Sequence, residues 1–304
     1  MSAIRTVLCS VDFSPATPRQ VDVAADLCRA FGARLVLHHN VPGAGVGAAV
    51  GWMWTASHPP PETPQAVDDH LRLELARAAQ GVTAEARVTE GPIARAVLLV
   101  GEAVGADVVV LSTHGTTTDD HTSITEEVLH AGQRAVLALH DEDDSRAPRF
   151  AATTGDRQIV LVPTDLTPDS RGAIDVGVEL ARRLPIDLHL LHLRHGGPAS
   201  TSTKSDDDLR RQMIALVPAD LESRVRLHLE DGNAARGIVE AATDLSASCI
   251  IMGEHTRAPL RRWFTRDTSH AVLHRAPCPV WYVPGRRAAS LSSDLPSQNS
   301  EGRS

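Results

Sequence analysis

Short apolar runs alternate along this chain with segments whose apolar residues recur every three to four positions, and the alternation starts again halfway through. A run of four to eight apolar residues bounded by turn formers reads as a buried strand, and the three-to-four spacing reads as a helix with one apolar stripe. Strands are therefore expected at Thr6–Ser10, Arg34–Asn40, Ala84–Val88, Val108–Ser112 and Ala135–Leu139. Helices are expected at Pro18–Phe31, Val67–Gln80, Pro92–Val104 and Ile124–His130. Strand and helix in alternation specify an α/β fold, a doubly wound open parallel sheet with helices on both faces.

The pattern is an internal repeat. TVLCSVDFSPATPRQVDVAADLCRAFGARLVLHHNV is answered by QIVLVPTDLTPDSRGAIDVGVELARRLPIDLHLLHLR, which places Asp165 at an offset of 153 from Asp12. EGPIARAVLLVGEAVGADVVVLSTHG is answered by DGNAARGIVEAATDLSASCIIMGEHT at an offset of 141, pairing Gly91 with Gly232 and His114 with His255. The last match, EEVLHAGQRAVLALH with SHAVLHRAPCPVWYV, pairs Val128 with Val272 at an offset of 144. Each repeat is thus a whole domain, expected at residues 1–140 and 158–284. Residues 141–157, acidic at their start and without periodicity, read as a linker, and the Ser-rich residues 285–304 as a disordered tail.

Composition narrows the options. A chain of 304 residues has room for two cores, and with only 3% aromatic residues both must be built from Val, Leu, Ile and Ala. The net charge of −8 argues against binding nucleic acid or an anionic membrane, which both favour a basic face. The weakly polar stretch Val41–Trp54 is broken by four glycines and a proline and is too short to span a bilayer. No signal-peptide pattern opens the chain, and its four cysteines show no C-x-x-C spacing. Buried free thiols in a cytoplasmic protein are the expectation.

In open α/β sheets, ligands bind outside the carboxyl ends of the strands, where the strand order reverses. Asp12 and Asp165 follow the first strand of each repeat. Ser112-Thr113-His114-Gly115 and Gly253-Glu254-His255-Thr256 follow the fourth, and each leads through a polar loop to a helix N-terminus able to hold an anion. An aspartate after a strand is also a common turn or cap residue, and no second titratable group stands at a spacing diagnostic of catalysis.

An apolar strand ending in V-D-x-S or P-T-D-x-T, a later strand ending in G-x-H-G or its variant, a loop, a helix and a terminal R-x-A-P-C-P-V strand together resemble the universal stress protein family. The likeness covers nearly all of the chain outside the linker and tail, in tandem form, and the second repeat is the clearer match. It implies Rossmann-like domains of the adenine nucleotide alpha hydrolase type, paired within the chain through their last strands, Ala135–Leu139 and Pro279–Val283, with a homodimer also open. It implies ATP or another adenine nucleotide as ligand, with no metal beyond an ATP-bound Mg. The residues it points to in the second repeat are Pro163, Thr164, Asp165, Leu193, Met252, Gly253, His255, Arg257, Arg266, Asp267 and Thr268. Their degenerate counterparts in the first are Asp12, Val41, Thr113, His114, Gly115 and Ser123.

Neither repeat keeps the whole phosphate cradle. In the family's ATP binders a G-x-x-G, nine residues and then G-S or G-T let backbone amides approach the phosphates. The second repeat keeps Gly253 but has Thr256 and Arg266 at the other glycine positions, and the first repeat has Ser112 for the first glycine and a shorter loop. Residues 115–127 carry Asp119, Asp120, Glu126 and Glu127 without a cation, a balance of −4. A carboxylate at about 6 Å from a phosphate charge costs on the order of 3 kcal/mol at an effective dielectric near 20, so the first repeat is expected not to hold a triphosphate. Residues 253–269 carry Arg257, Arg261, Arg262 and Arg266 against Glu254 and Asp267, a balance of +2. Against nucleotide binding there, Asp267 or Thr268 reads as a helix N-cap that would occupy the same amides.

Fifteen histidines invite a metal reading, but His189 and His195 share a strand face that His192 does not, and adjacent His38 and His39 fail likewise. No protein-held metal is expected. The segment PGAGVGAAVGWMW, with Trp52, Met53 and Trp54, reads as self-packing, a cover for the first crevice or a subunit contact. The function expected is a stress-response role by ligand or partner binding, with slow ATP hydrolysis at most. An enzyme of the adenine nucleotide alpha hydrolase superfamily would be expected to show S-G-G-x-D-S or H-x-G-H, which this chain lacks. A dimerisation scaffold without a ligand is the third reading.

Overall fold

The computed structural model describes residues 4–41, 63–113, 124–131, 134–140, 150, 157–194, 205–254 and 266–285. In the first repeat the elements are β1 (Thr6–Val11), α1 (Thr17–Phe31), β2 (Arg34–Val41), α2 (Pro64–Ala78), β3 (Ala84–Glu90), α3 (Ile93–Val104), β4 (Val108–Thr113), α4 (Ile124–His130) and β5 (Ala135–His140). The second repeat has β6 (Gln158–Pro163), a 3-10 turn, α5 (Arg171–Arg183), β7 (Ile186–Arg194), α6 (Asp206–Ile214), a second 3-10 turn, β8 (Val225–Asp231), α7 (Ala234–Asp244), β9 (Cys249–Glu254), α8 (Arg266–Arg275) and β10 (Val280–Pro284). Every strand and helix expected in the first repeat is present, most within two residues of its expected ends. The exception is α2, which starts at Pro64 because the Thr63 side chain accepts from the Ala66 amide and Pro64 suits the first turn. Helix α1 stops at Gly32, whose φ of 65° is left-handed, a conformation glycine adopts without a Cβ clash.

All ten strands form one sheet in the order β3-β2-β1-β4-β5-β10-β9-β6-β7-β8. Within each repeat the strands are parallel, and the repeats join where β10 runs antiparallel to β5. Leu137 faces Trp281 across this junction, with Val136 opposite Tyr282 and Ala138 opposite Val280. Leu137 and Trp281 are themselves equivalent positions at the offset of 144, so the approximate twofold axis passes between them. The two domains therefore pair within the chain, and they do so through the strands expected.

The two kinds of edge differ in chemistry. β5 reads AVLALH and β10 VWYVP, nearly all buried, whereas the outer strands β3 and β8 carry Glu85, Arg87, Glu90, Arg226, Glu230 and Asp231. Charged side chains on an edge oppose addition of a further strand, and apolar ones require a cover. Both hydrophobic cores run unbroken through the junction. Helices α1, α2, α5 and α6 cover one face, where Leu137, Trp281 and Phe150 meet, and α3, α4, α7 and α8 cover the other, with Val136, Ala138 and Tyr282. Phe150 sets its ring edge-on to Trp281 at 6.1 Å. Across the same axis Arg183 lies over the Phe31 ring at 4.9 Å, and His140 Nε2 donates to the Leu273 carbonyl at 2.6 Å. That carbonyl is in the last turn of α8, where intrahelical donors run out.

No helix among the described residues is long and apolar enough to cross a membrane. Cys9, Cys28, Cys249 and Cys278 are buried and form no disulfide among the described residues, and burial pushes the Cys28 thiol up to about 12, which makes it inert.

Trp281 is fully buried and its indole nitrogen has no hydrogen-bond partner among the described residues. Trp281→Ala is therefore expected to cost about 4 kcal/mol in denaturant unfolding through the cavity it leaves at the axis. Trp281→Phe should cost under about 1.5 kcal/mol, since it keeps most of the volume and removes an unsatisfied donor.

Candidate functional site

The strand order reverses between β1 and β4 in the first repeat and between β6 and β9 in the second. At each reversal the helices leave to opposite faces and the strands part early. β1 pairs with β4 only from Val7 to Cys9, and β6 with β9 only at Val160 and Leu161. In the first repeat Gln20 on α1 closes the split. Its Nε2 donates to the Ser10 carbonyl at 2.7 Å and the Val110 carbonyl at 3.1 Å, supplying the ladder contacts the parting strands have lost. Ala173 holds the equivalent position in the second repeat and cannot do this. Sequence reasoning passed over Gln20; a polar residue on the buried stripe of α1 was the available signal.

Both predicted aspartates form the same turn. Asp12 Oδ1 accepts from the Ser14 amide at 2.9 Å, and Asp165 Oδ1 accepts from the Thr167 amide at 3.0 Å and the Thr167 hydroxyl at 2.6 Å. The residue between is left-handed in each, Phe13 at φ 59° and Leu166 at φ 61°, unusual for side chains without local hydrogen bonds of their own. A histidine braces each turn from the next strand. His39 Nδ1 donates to the Val11 carbonyl at 2.8 Å, and His192 Nδ1 to the Thr164 carbonyl at 2.9 Å. These histidines, sought as metal ligands, instead hold the turns in register.

The repeats then diverge. Phe13 stacks on His39 at 4.3 Å and meets His70 of α2 edge-on at 4.5 Å, so aromatic rings fill the corner between the aspartate turn and the end of β2. Leu166 stands there in the second repeat. Beside this corner the first repeat carries a polar chain that is half-buried at Ser10 and Thr89 and buried at His38 and Asn40. The Ser10 hydroxyl donates to His38 Nδ1 (2.9 Å), His38 Nε2 to Thr89 Oγ1 (2.7 Å), and Thr89 to Asn40 Oδ1 (2.9 Å), while Asn40 Nδ2 reaches the Gly91 carbonyl (2.7 Å). Because Thr89 gives its proton to Asn40, it must accept from His38, which fixes the neutral Nε2–H tautomer. Burial, with His39 alongside, pushes the His38 pKa down to about 4. Burial also lowers His39, His189 and His228, and His228 Nε2 lies 3.0 Å from His189 Nδ1.

Of the predicted residues in the second repeat, Pro163 ends β6 and Asp165 is half-buried in its turn. Thr164 is buried and bonded inward to Ser170 at 2.8 Å. Leu193 is buried against Gly237, where an added Cβ would stand 2.5 Å from it, and Met252 is fully buried. Gly253 lies within β9, paired with Val283, and not in the loop after it. The capping reading of Asp267 and Thr268 is corrected. α8 begins at Arg266, so both residues lie inside its first turn, and Thr268 is buried. Arg194, unremarked in the sequence, ends β7 and is held by Asp206 at 2.5 Å and Asp231 at 2.8 Å. In the first repeat Val41 ends β2 and the Thr113 hydroxyl donates to the Leu139 carbonyl at 3.1 Å. His114, Gly115, Ser123, His255 and Arg257 lie outside the described residues, as do Trp52, Met53 and Trp54.

A family model described as the universal stress protein family matches residues 3–140 and again 156–284. Among solved structures, a universal stress protein from Archaeoglobus fulgidus is similar over 92% of this chain and 96% of its own, with a TM-score of 0.66 at 18% identity. A functionally unknown protein from Pseudomonas aeruginosa is similar over 93% of both chains, with a TM-score of 0.64 at 15% identity. At those identities the likeness is one of fold. The sequence matches none of the curated proteins.

The buried histidine chain predicts a pH dependence. His38 takes up its proton far more readily when unfolded, so its stabilising effect is complete above about pH 6.5 and is lost as the pH falls towards about 4. The loss expected from this group is roughly 3 kcal/mol, and His38→Gln should flatten that limb. Urea unfolding near pH 7 and near pH 4.5 checks it; parallel slopes for both proteins would refute the assignment.

Proposed function

This chain belongs to the universal stress protein family, and on that premise we propose that it acts by binding an adenine nucleotide in its second repeat rather than by turnover. The observation that carries the reading is the unequal closure of the two switch points. In the first repeat Gln20 bridges the split strands and Phe13, His39 and His70 fill the corner beside Asp12. The second repeat replaces Gln20 with Ala173 and Phe13 with Leu166, and keeps the braced turn that presents Asp165.

Electrostatics points the same way. Residues 253–269, from the end of β9 into α8, have a sequence balance of +2 against −4 for residues 115–127 of the first repeat, which favours a polyanion in the second repeat. In this reading Asp165 accepts from the sugar or base, the backbone of Pro163 and Gly253 flanks the ligand, and Arg257 and Arg266 neutralise phosphate charge. Thr164, Leu193 and Met252 support from the core, and the loop and first turn of α8, with His255, Asp267 and Thr268, border the phosphates. An Mg ion would enter with ATP. Free buried cysteines accord with a cytoplasmic setting.

Calorimetry on the full chain with ATP and with AMP tests this. The wild type should bind one nucleotide per chain, Asp165→Ala should weaken binding at least about tenfold, a loss of about 1.4 kcal/mol, and Asp12→Ala should leave it unchanged. A thermal melt of each variant confirms folding. Absence of binding at millimolar nucleotide, or an equal loss in Asp12→Ala, would overturn the proposal.

A further inference from the structure

At the offset of 144 that relates the last strands, EEVLH on α4 corresponds to HAVLH on α8, so Glu126 is equivalent to His270 and His130 to His274. The antiparallel junction brings these helices together across the axis on one face of the sheet. His270 and His274, four residues apart and so on one face of α8, turn the same ring nitrogen to a single oxygen of the other repeat. His270 Nε2 lies 3.0 Å and His274 Nε2 2.7 Å from Glu126 Oε1. The two rings are 4.4 Å apart, and the three ligand atoms lie within 4.8 Å of one another. Glu126 is 6% exposed, while the His270 side chain is 57% exposed and leaves a path from solvent.

We propose that Glu126, His270 and His274 form a binding site for Zn2+ that bridges the two repeats. Two imidazoles and one carboxylate are the donor set of a borderline divalent ion; Ca2+ and Mg2+ favour more oxygen donors. Histidines at i and i+4 on a helix already share the spacing that lets both reach one ion. Ligand atoms around a tetrahedral ion at about 2.0–2.1 Å stand about 3.3 Å apart, so for the ion to enter the Glu126 oxygen withdraws by a fraction of an ångström and the two histidine nitrogens, within 4.8 Å of each other, settle at that spacing. Three protein ligands leave the fourth position on the solvent side, open to water or an exogenous donor. A search for histidine clusters within a strand could not find this site, because its ligands come from both repeats. The bound ion ties α4 to α8 and so reinforces the pairing of the repeats.

The test uses the full chain stripped of metal, with no nucleotide present, so its outcome is independent of the nucleotide reading. Calorimetric titration with Zn2+ should give one ion per chain, and Co2+ should give the visible spectrum of a low-coordinate N/O site. Zn2+ should raise the melting temperature of the wild type. His270→Ala, an exposed position that leaves the fold intact, should weaken Zn2+ binding at least about tenfold. His270→Ala combined with His274→Ala should abolish both the Co2+ spectrum and the melting shift, and His228→Ala, in the other histidine pair, should keep them. If Glu126→Gln does not fold, the histidine variants decide alone. No Zn2+ binding by the wild type at about 100 µM, or equal stoichiometry and affinity in the double histidine variant, would overturn the proposal.

Discussion

The antiparallel pairing of β5 with β10 is the contact on which the rest of this molecule depends. Two apolar edge strands would each leave a row of unpaired backbone groups and bare Val, Leu, Trp and Tyr side chains in water. Placed together, they merge two five-stranded sheets into one and let both cores run through the junction. Because the axis passes between Leu137 and Trp281, two equivalent positions face each other there. Their unequal sizes, with Phe150 packed against the indole, suit a pairing between repeats that are alike but not identical. The outer edges β3 and β8 carry charge instead, which ends the sheet at ten strands.

Within that frame the repeats share a scaffold and differ in chemistry. The braced aspartate turn occurs in both, with the same left-handed residue and the same histidine-to-carbonyl bond. What differs is how each switch point is filled. The first repeat places an amide, a phenyl ring and a chain of hydrogen-bonding groups there. The second places an alanine and a leucine. A tandem chain can fill its two switch points differently because the paired sheet does not depend on how either is filled.

Histidine illustrates how burial sets the role of one residue type. His38 and His39 are buried and neutral, used as directional hydrogen-bond groups inside the first repeat. His189 and His228 pair across β7 and β8 under the same desolvation. His270 and His274 lie at the surface and both meet the buried Glu126 carboxylate of the other repeat.

The sequence by itself determined the repeat, the order and type of the elements and the parallel sheets, because each follows from local periodicity; the pairing of the last strands came from the family resemblance that its motifs carry, in keeping with apolar edges that must be covered. It also placed Asp12 and Asp165 after the first strand of each repeat with turn and helix-cap roles both open, and the structure shows the turn. Tertiary structure alone decided which side chains meet. Gln20 reaches carbonyls of two strands, one of them 90 residues away, Phe13 finds His70 on another helix, and Glu126 meets histidines 144 and 148 positions later. No local period encodes such contacts. They are fixed only when the sheet order and the approximate twofold axis bring distant elements to the same place, and it is there that the chemistry of this protein is set.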